Sequence, residues 1–197
     1  MSLYYFDHAA SAPRRDEVSE AMAPFQHGVV GNPSGMHKAA REARRVIEDA
    51  RDQIAAFVGA APGQVVFTGG GTESCHMAIA GAANAYRRAH GTAHLITSAI
   101  EHHAGLHCFD YLAKREDFSV TVLPVDGEGR VSVEALQQAL RPDTVLVSIM
   151  AANNEIGTLQ PAAELGALCR ERGVIFHTDA VQAFGKVPFD VGSFPVD

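Results

Sequence analysis

Four clusters of polar residues each follow directly on a short apolar run. After Val65-Val66-Phe67 comes Thr68-Gly69-Gly70-Gly71-Thr72-Glu73-Ser74, leading into a helical pattern. Three glycines let the backbone turn tightly, Thr72 offers a hydroxyl, and the helix start presents unpaired N–H groups at the positive end of its dipole. That combination suits a phosphate. Neither the Gly-Lys-Ser/Thr of a nucleotide P-loop nor the dinucleotide glycine spacing is present. An ordinary Gly-rich turn with a Thr cap satisfies the same spacing equally well.

The second cluster, Glu101-His102-His103, follows the apolar run that begins at His94. A histidine just past a parallel strand can stack on a planar ligand or move protons. His103 and His107 are four apart, but no Cys or carboxylate stands at an obvious ligand spacing. No metal site is therefore expected, and these two read as an exposed helix face. The third cluster, Asn153-Asn154-Glu155-Ile156-Gly157, groups two amides and a carboxylate that must be hydrogen-bonded or wet. A polar turn accounts for it in isolation. The fourth runs His177-Thr178-Asp179-Ala180-Val181-Gln182 after Val174-Ile175-Phe176. A carboxylate at a buried strand's end pairs with a cation or caps a helix. Beside a pyridine ring it would keep the ring nitrogen protonated and make the ring an electron sink.

The elements that must carry these clusters alternate along the chain. Ala39, Ala43, Val46, Ile47, Ala50, Ile54 and Phe57 form one apolar stripe, predicting a helix over His37 to Val58. Strands are then expected at 65–67, 94–97, 120–125, 145–150 and 174–177. Helices are expected from about Thr72, at His103 to Lys114, Val133 to Leu140 and Ala162 to Arg172. Such alternation predicts an α/β fold, three layers with a mainly parallel sheet covered on both faces. Ligands in these folds sit beyond the carboxyl ends of the strands, where all four clusters fall. Residues 1–15, from Leu3 to Arg15 in particular, read as an N-terminal arm, and residues 16–197 as one domain.

Composition narrows the classes further. The chain has 197 residues, 47% hydrophobic and 20% charged, with sixteen basic against twenty-three acidic side chains and a formal charge of -7. That balance argues against nucleic-acid or anionic-membrane partners, and no apolar stretch reaches membrane-spanning length. Cys75, Cys108 and Cys169 are odd in number and widely spaced, which favours a reducing cytoplasm over a disulfide framework.

Taken jointly and in order, the clusters resemble the cysteine desulfurase branch of the class V aminotransferases. The resemblance begins at Phe6-Asp7-His8-Ala9-Ala10-Ser11-Ala12-Pro13 and continues through Gly31 to His37, Phe67 to Ser74 and Glu101-His102. It then runs through Leu146 to Gly157 and closes with Phe176 to Lys186. It implies the large domain of a fold-type-I enzyme that binds pyridoxal 5'-phosphate. Gly71 and Thr72 would bind the cofactor phosphate, and His102 would stack on its ring and assist proton transfer. Asn154 would lie by cofactor and substrate, Asp179 would pair with the pyridine nitrogen, and Gln182 would hydrogen-bond the phenolic oxygen.

The implied activity converts L-cysteine to L-alanine and passes sulfane sulfur to an enzyme cysteine, then to an acceptor protein serving iron–sulfur or thio-cofactor synthesis. The implied assembly is a homodimer. A selenocysteine lyase, an aminotransferase of the same class and a non-catalytic or split subunit are the alternatives. Cys75-His76 departs from the family pattern, which usually has an amide or acid there, and His8 stands where Asn is common. The family's Schiff-base lysine, sulfur-accepting cysteine and substrate-binding arginine match no position here; the lysines are Lys38, Lys114 and Lys186. By this reading the domain is incomplete at its C-terminal side and the chain alone is inactive. The strand at 65–68 would then lack its sheet neighbour, leaving its phosphate turn detached from Asp179.

Overall fold

The computed structural model describes residues 4–28, 31–115, 117–192 and 195–197. Met1 to Leu3, the start of the expected arm, lie outside the described residues. The chain divides into two compact units, 1–66 and 67–197.

In the first unit, residues 4–15 carry no helix or strand and lead to α1 (Asp16–His27) and α2 (Lys38–Val58). Asp16 and Glu17 place negative charge at the positive end of α1. The periodicity does not announce this helix, because Val18, Met22 and Phe25 are exposed and no residue of α1 is buried. α2 starts where His37 Nδ1 accepts the Ala40 N–H at 3.3 Å. It stops at Gly59, whose φ of 71° a side chain would resist. A one-turn 3₁₀ helix at Pro62–Gln64 follows, and the Arg51 guanidinium returns to the Val65 carbonyl.

The second unit holds α3 (Gly71–His90), β1 (Ala93–Ser98), α4 (His103–Ala113), β2 (Phe118–Leu123) and α5 (Val133–Ala139). β3 (Thr144–Ser148), α6 (Ala162–Glu171) and β4 (Ile175–His177) complete it. The four strands are parallel and ordered β2-β1-β3-β4. All of β1 and β3 is buried, as central strands covered on both faces require. On one face Leu95 and Phe118 meet Cys75, Ile79 and Ala83 of α3 and Cys108, Phe109 and Leu112 of α4. On the other, Ile96, Val147 and Phe176 meet Leu136 of α5 and Leu165 and Cys169 of α6. The expected three layers are therefore present.

Two expectations are corrected. Residues 65–67 form no strand: Val66 and Phe67 are 63% and 47% exposed, and 65–68 enter no ladder among the described residues. A strand needs a partner for its N–H and C=O groups, and apolar side chains alone do not supply one. Second, the glycine turn is not detached from Asp179, because α3 docks on the sheet face and carries the turn with it. Among the described residues the outer edge of β4 is engaged at Phe176, whose N–H donates to Asp197 Oδ2 at 2.9 Å and whose carbonyl accepts from Asp197 N–H at 3.1 Å.

Candidate active site at the carboxyl ends of the strands

The glycine turn is braced from within. Thr68 and Ser74 share a hydroxyl hydrogen bond of 2.7 Å, and Gly69 N–H donates to Glu73 Oε2 at 2.5 Å. Gly70 occupies the N-cap of α3 and supplies no side chain to the first turn. The amide end of a twenty-residue helix thus opens outward, and Thr72 takes no part in the bracing among the described residues. Gly69 to Glu73 and His76 line an open cavity of about 590 Å³ there. A Cβ on Gly71 would stand 3.2 Å from Val181 Cγ2, so this backbone runs close against the loop after β4.

That loop carries Asp179, and the structure brings it to the same helix. Asp179 Oδ2 accepts the Cys75 thiol at 3.7 Å, and Oδ1 accepts the Val181 N–H at 2.9 Å. Cys75 lies three residues into α3 from Thr72 and is buried; burial, then the charge of Asp179, pushes its thiol up to about 12. The main chain of Asp179 is tied to β3's extension, since Ala151 N–H donates to its carbonyl at 2.9 Å.

His102 sits at the end of β1 as the N-cap of α4, its Nδ1 accepting the Ala104 N–H at 3.1 Å. An accepting Nδ1 places the proton of the neutral ring on Nε2. Asn154 gives its amide to its neighbour, Glu155 Oε1, at 2.7 Å. Gln182 is half-buried, with Oε1 accepting from Lys186 Nζ at 2.5 Å. Gly71, Thr72 and Asp179 are thus gathered around the start of α3. His102 belongs to the neighbouring strand end, and the amides of Asn154 and Gln182 bond within their own loops.

Two residues passed over in the sequence do much of the positioning. Asn153 is buried, donating from Nδ2 to the Ile100 carbonyl at 2.8 Å and accepting at Oδ1 from the Glu155 and Ile156 N–H groups at 2.9 and 3.0 Å. Glu101 is buried as well; burial raises its carboxyl to about 7, against hydrogen bonds from Ser98 and Met150 that pull it down. The available signal was placement, since both stand at the end of an apolar run in a fold that buries such ends.

The residues present fit a phosphorylated, nitrogen-containing ring. The helix amides and the Thr72 hydroxyl suit a dianion, and a clamped carboxylate lies beside them. No group of His, Cys, Asp and Glu among the described residues is arranged to hold a metal ion. No helix among them is long and apolar enough to cross a membrane.

Residues 4–197 match the family model for class-V aminotransferases. The cysteine desulfurase IscS of Dictyoglomus turgidum is 49% identical over 193 residues, 98% of this chain and 48% of that protein. The cysteine desulfurase IscS of Methanosarcina thermophila is 47% identical over 193 residues, 98% of this chain and 47% of its own length. A structure of SspA in complex with cysteine superposes with a TM-score of 0.92 at 40% identity, covering 98% of this chain and 55% of SspA. The chain spans about half the length of the relatives it matches.

Proposed function

The chain belongs to the class-V aminotransferase family, and on that premise we propose that it forms the N-terminal part of the pyridoxal-phosphate-binding large domain of a cysteine desulfurase, with residues 1–15 as its arm. The observation that carries this reading is the convergence of the uncapped α3 turn and Asp179, 3.7 Å from Cys75, on one side of the sheet. The identity to cysteine desulfurases over nearly the whole chain supports it.

Bound pyridoxal phosphate supplies an electron sink for negative charge developing on the substrate carbon. Gly71 N–H, Thr72 Oγ1 and the first turn of α3 would hold its phosphate. Asp179, its oxygens held in orientation by Cys75 and Val181, would keep the ring nitrogen protonated. His102 would lie against the ring and move a proton through Nε2, because Nδ1 is committed to Ala104. Asn154 and Gln182 would offer their amides to the substrate and the ring oxygen.

In the overall reaction the C–S bond of L-cysteine breaks, alanine gains a proton at Cβ, and the sulfur joins an enzyme thiolate as a persulfide. The accepting thiol is none of Cys75, Cys108 and Cys169, which are free but buried, with burial raising each one's pKa. The persulfide passes to an acceptor protein, the whole enzyme works as a homodimer, and three free thiols suit a reducing cytoplasm.

The test is product analysis of the whole protein loaded with pyridoxal phosphate and given L-cysteine and a reductant. Alanine and sulfide in equal amounts are expected, with Asp179→Asn lowering turnover by orders of magnitude. Amino-group transfer to a keto acid without alanine, or near wild-type turnover by Asp179→Asn, overturns the assignment.

A further inference from the structure

The strand order β2-β1-β3-β4 reverses direction between β1 and β3, the kind of switch point beyond which ligands bind in such sheets. The Glu101 side chain spans that point. Glu101 follows β1 at 8% exposure and accepts three hydrogen bonds, from Ser98 Oγ to Oε1 at 2.6 Å and from Met150 N–H to both oxygens at 2.9 and 3.0 Å. We propose that Glu101 is a positioning residue, whose bridge from the end of β1 to the end of β3 fixes the His102 ring relative to Asp179. The proposal rests on the roles given to those two residues above.

The connections on either side of the bridge are short. Glu101 is peptide-bonded to His102, whose ring is held in turn by the Ala104 N–H. Across the bridge, Met150 is peptide-bonded to Ala151, whose N–H holds the Asp179 carbonyl at 2.9 Å. Asn153 Nδ2 adds a parallel tie to the Ile100 carbonyl. Between the imidazole and the carboxylate there is then a continuous path of main chain and hydrogen bonds, with one side chain, Glu101, at its centre.

A buried carboxylate without a paired cation is costly, and an apolar residue would fill the same space at less expense. What an apolar residue cannot do is accept the Met150 N–H from the neighbouring strand end. The nearby charge of Asp179 also acts on the Glu101 carboxyl, which places both groups in one electrostatic neighbourhood. Misplacing a catalytic ring by about 1 Å costs on the order of a hundredfold in rate, so a latch of this kind has something to protect.

Glu101→Gln retains an oxygen for the Met150 N–H, and its amide can donate to Ser98. Glu101→Ala leaves the Met150 N–H buried without a partner. The ring ¹⁵N signals of His102 in the cofactor-free full chain, assigned with His102→Gln, read the tautomer and the order of the ring directly. Wild type and Glu101→Gln are expected to show the Nε2–H pattern, and Glu101→Ala an averaged one. In the whole enzyme kcat for L-cysteine should fall by about tenfold or more in Glu101→Ala, with KM nearly unchanged and most of the loss restored in Glu101→Gln.

Ring signals and kcat per folded molecule that stay at wild-type values in Glu101→Ala overturn the proposal, whatever happens to stability. If Glu101→Ala does not fold, Ser98→Ala removes one donor to the carboxylate and should shift the same signals by a smaller step. Unmoved signals then overturn the proposal too. A wild-type protein that binds no pyridoxal phosphate would sink the reading of the site, while the ring signals still decide the role of Glu101.

Discussion

His94 is the second residue of β1, at the end of the sheet away from the candidate site, fully buried, with a hydroxyl at each ring nitrogen. Nδ1 lies 2.7 Å from Thr144 Oγ1 on β3 and Nε2 lies 2.8 Å from Thr121 Oγ1 on β2. A neutral imidazole donates at one nitrogen and accepts at the other, so it fastens three strands at once. A protonated ring can only donate. Burial, reinforced by the Arg141 charge and partly offset by Asp143, pushes the His94 pKa from 6.5 down to about 4.

The folded value lies below the unfolded one, so the neutral ring stabilises the fold fully above pH 6.5. That contribution drains away as pH falls from 6.5 toward 4. Between pH 7.5 and pH 4.5 the loss from this one group is about 2–3 kcal/mol, from 1.36 kcal/mol for each pKa unit. Urea unfolding followed by circular dichroism at pH 7.5, 6.5, 5.5 and 4.5 measures it, with His94→Gln run in parallel. His177, also lowered by burial, is common to both proteins and cancels in the difference. The glutamine variant should be the less stable at pH 7.5, and the gap should shrink by that amount at pH 4.5. A gap independent of pH would mean that His94 is not held neutral by its surroundings, and the linkage reasoning fails.

Three further substitutions have expected outcomes. Thr72→Val keeps the shape of the cradle but removes a hydroxyl donor to a charged acceptor, so pyridoxal phosphate affinity, read by fluorescence titration, should drop by about 1.5–3 kcal/mol. Gly71→Val, whose Cβ alone would press on Val181 at 3.2 Å, should lose more. Gly166→Ala places a Cβ 2.1 Å from the Pro195 carbonyl oxygen and 2.9 Å from Phe176 Cδ1, and should lower the unfolding free energy by about 1–3 kcal/mol in urea.

The layered fold was legible because its elements are buried and regular. A helix expected over 37–58 spans Lys38–Val58, and a strand expected over 94–97 spans Ala93–Ser98. The failure at Val65-Val66-Phe67 is instructive beside Val174-Ile175-Phe176, since the two runs carry nearly the same local signal. Ile175 and Phe176 have β3 alongside to complete a ladder, whereas residues 65–67 pair with nothing among the described residues. Strand formation is a property of a pair, and a single run does not state its partner.

The same limit divides the site. Residue types allowed Thr72, His102 and Asp179 a role but left an ordinary turn or cap open for Thr72 and Asp179, and it was the ordered resemblance of all the clusters to one family that nominated them. Which of Asn153 and Asn154 turns inward was not legible. It follows from the antiparallel bridge between Ala152 and Leu159 and from the approach of the Ile100 carbonyl, fifty-three positions away in sequence. Glu101 was hidden for the same reason, since its partner is the main-chain N–H of Met150, forty-nine positions on, and a main-chain donor leaves no trace in residue identity. A group that does chemistry is thus visible as a side chain, whereas a group that holds it in place through backbone becomes visible only once the strands are laid side by side.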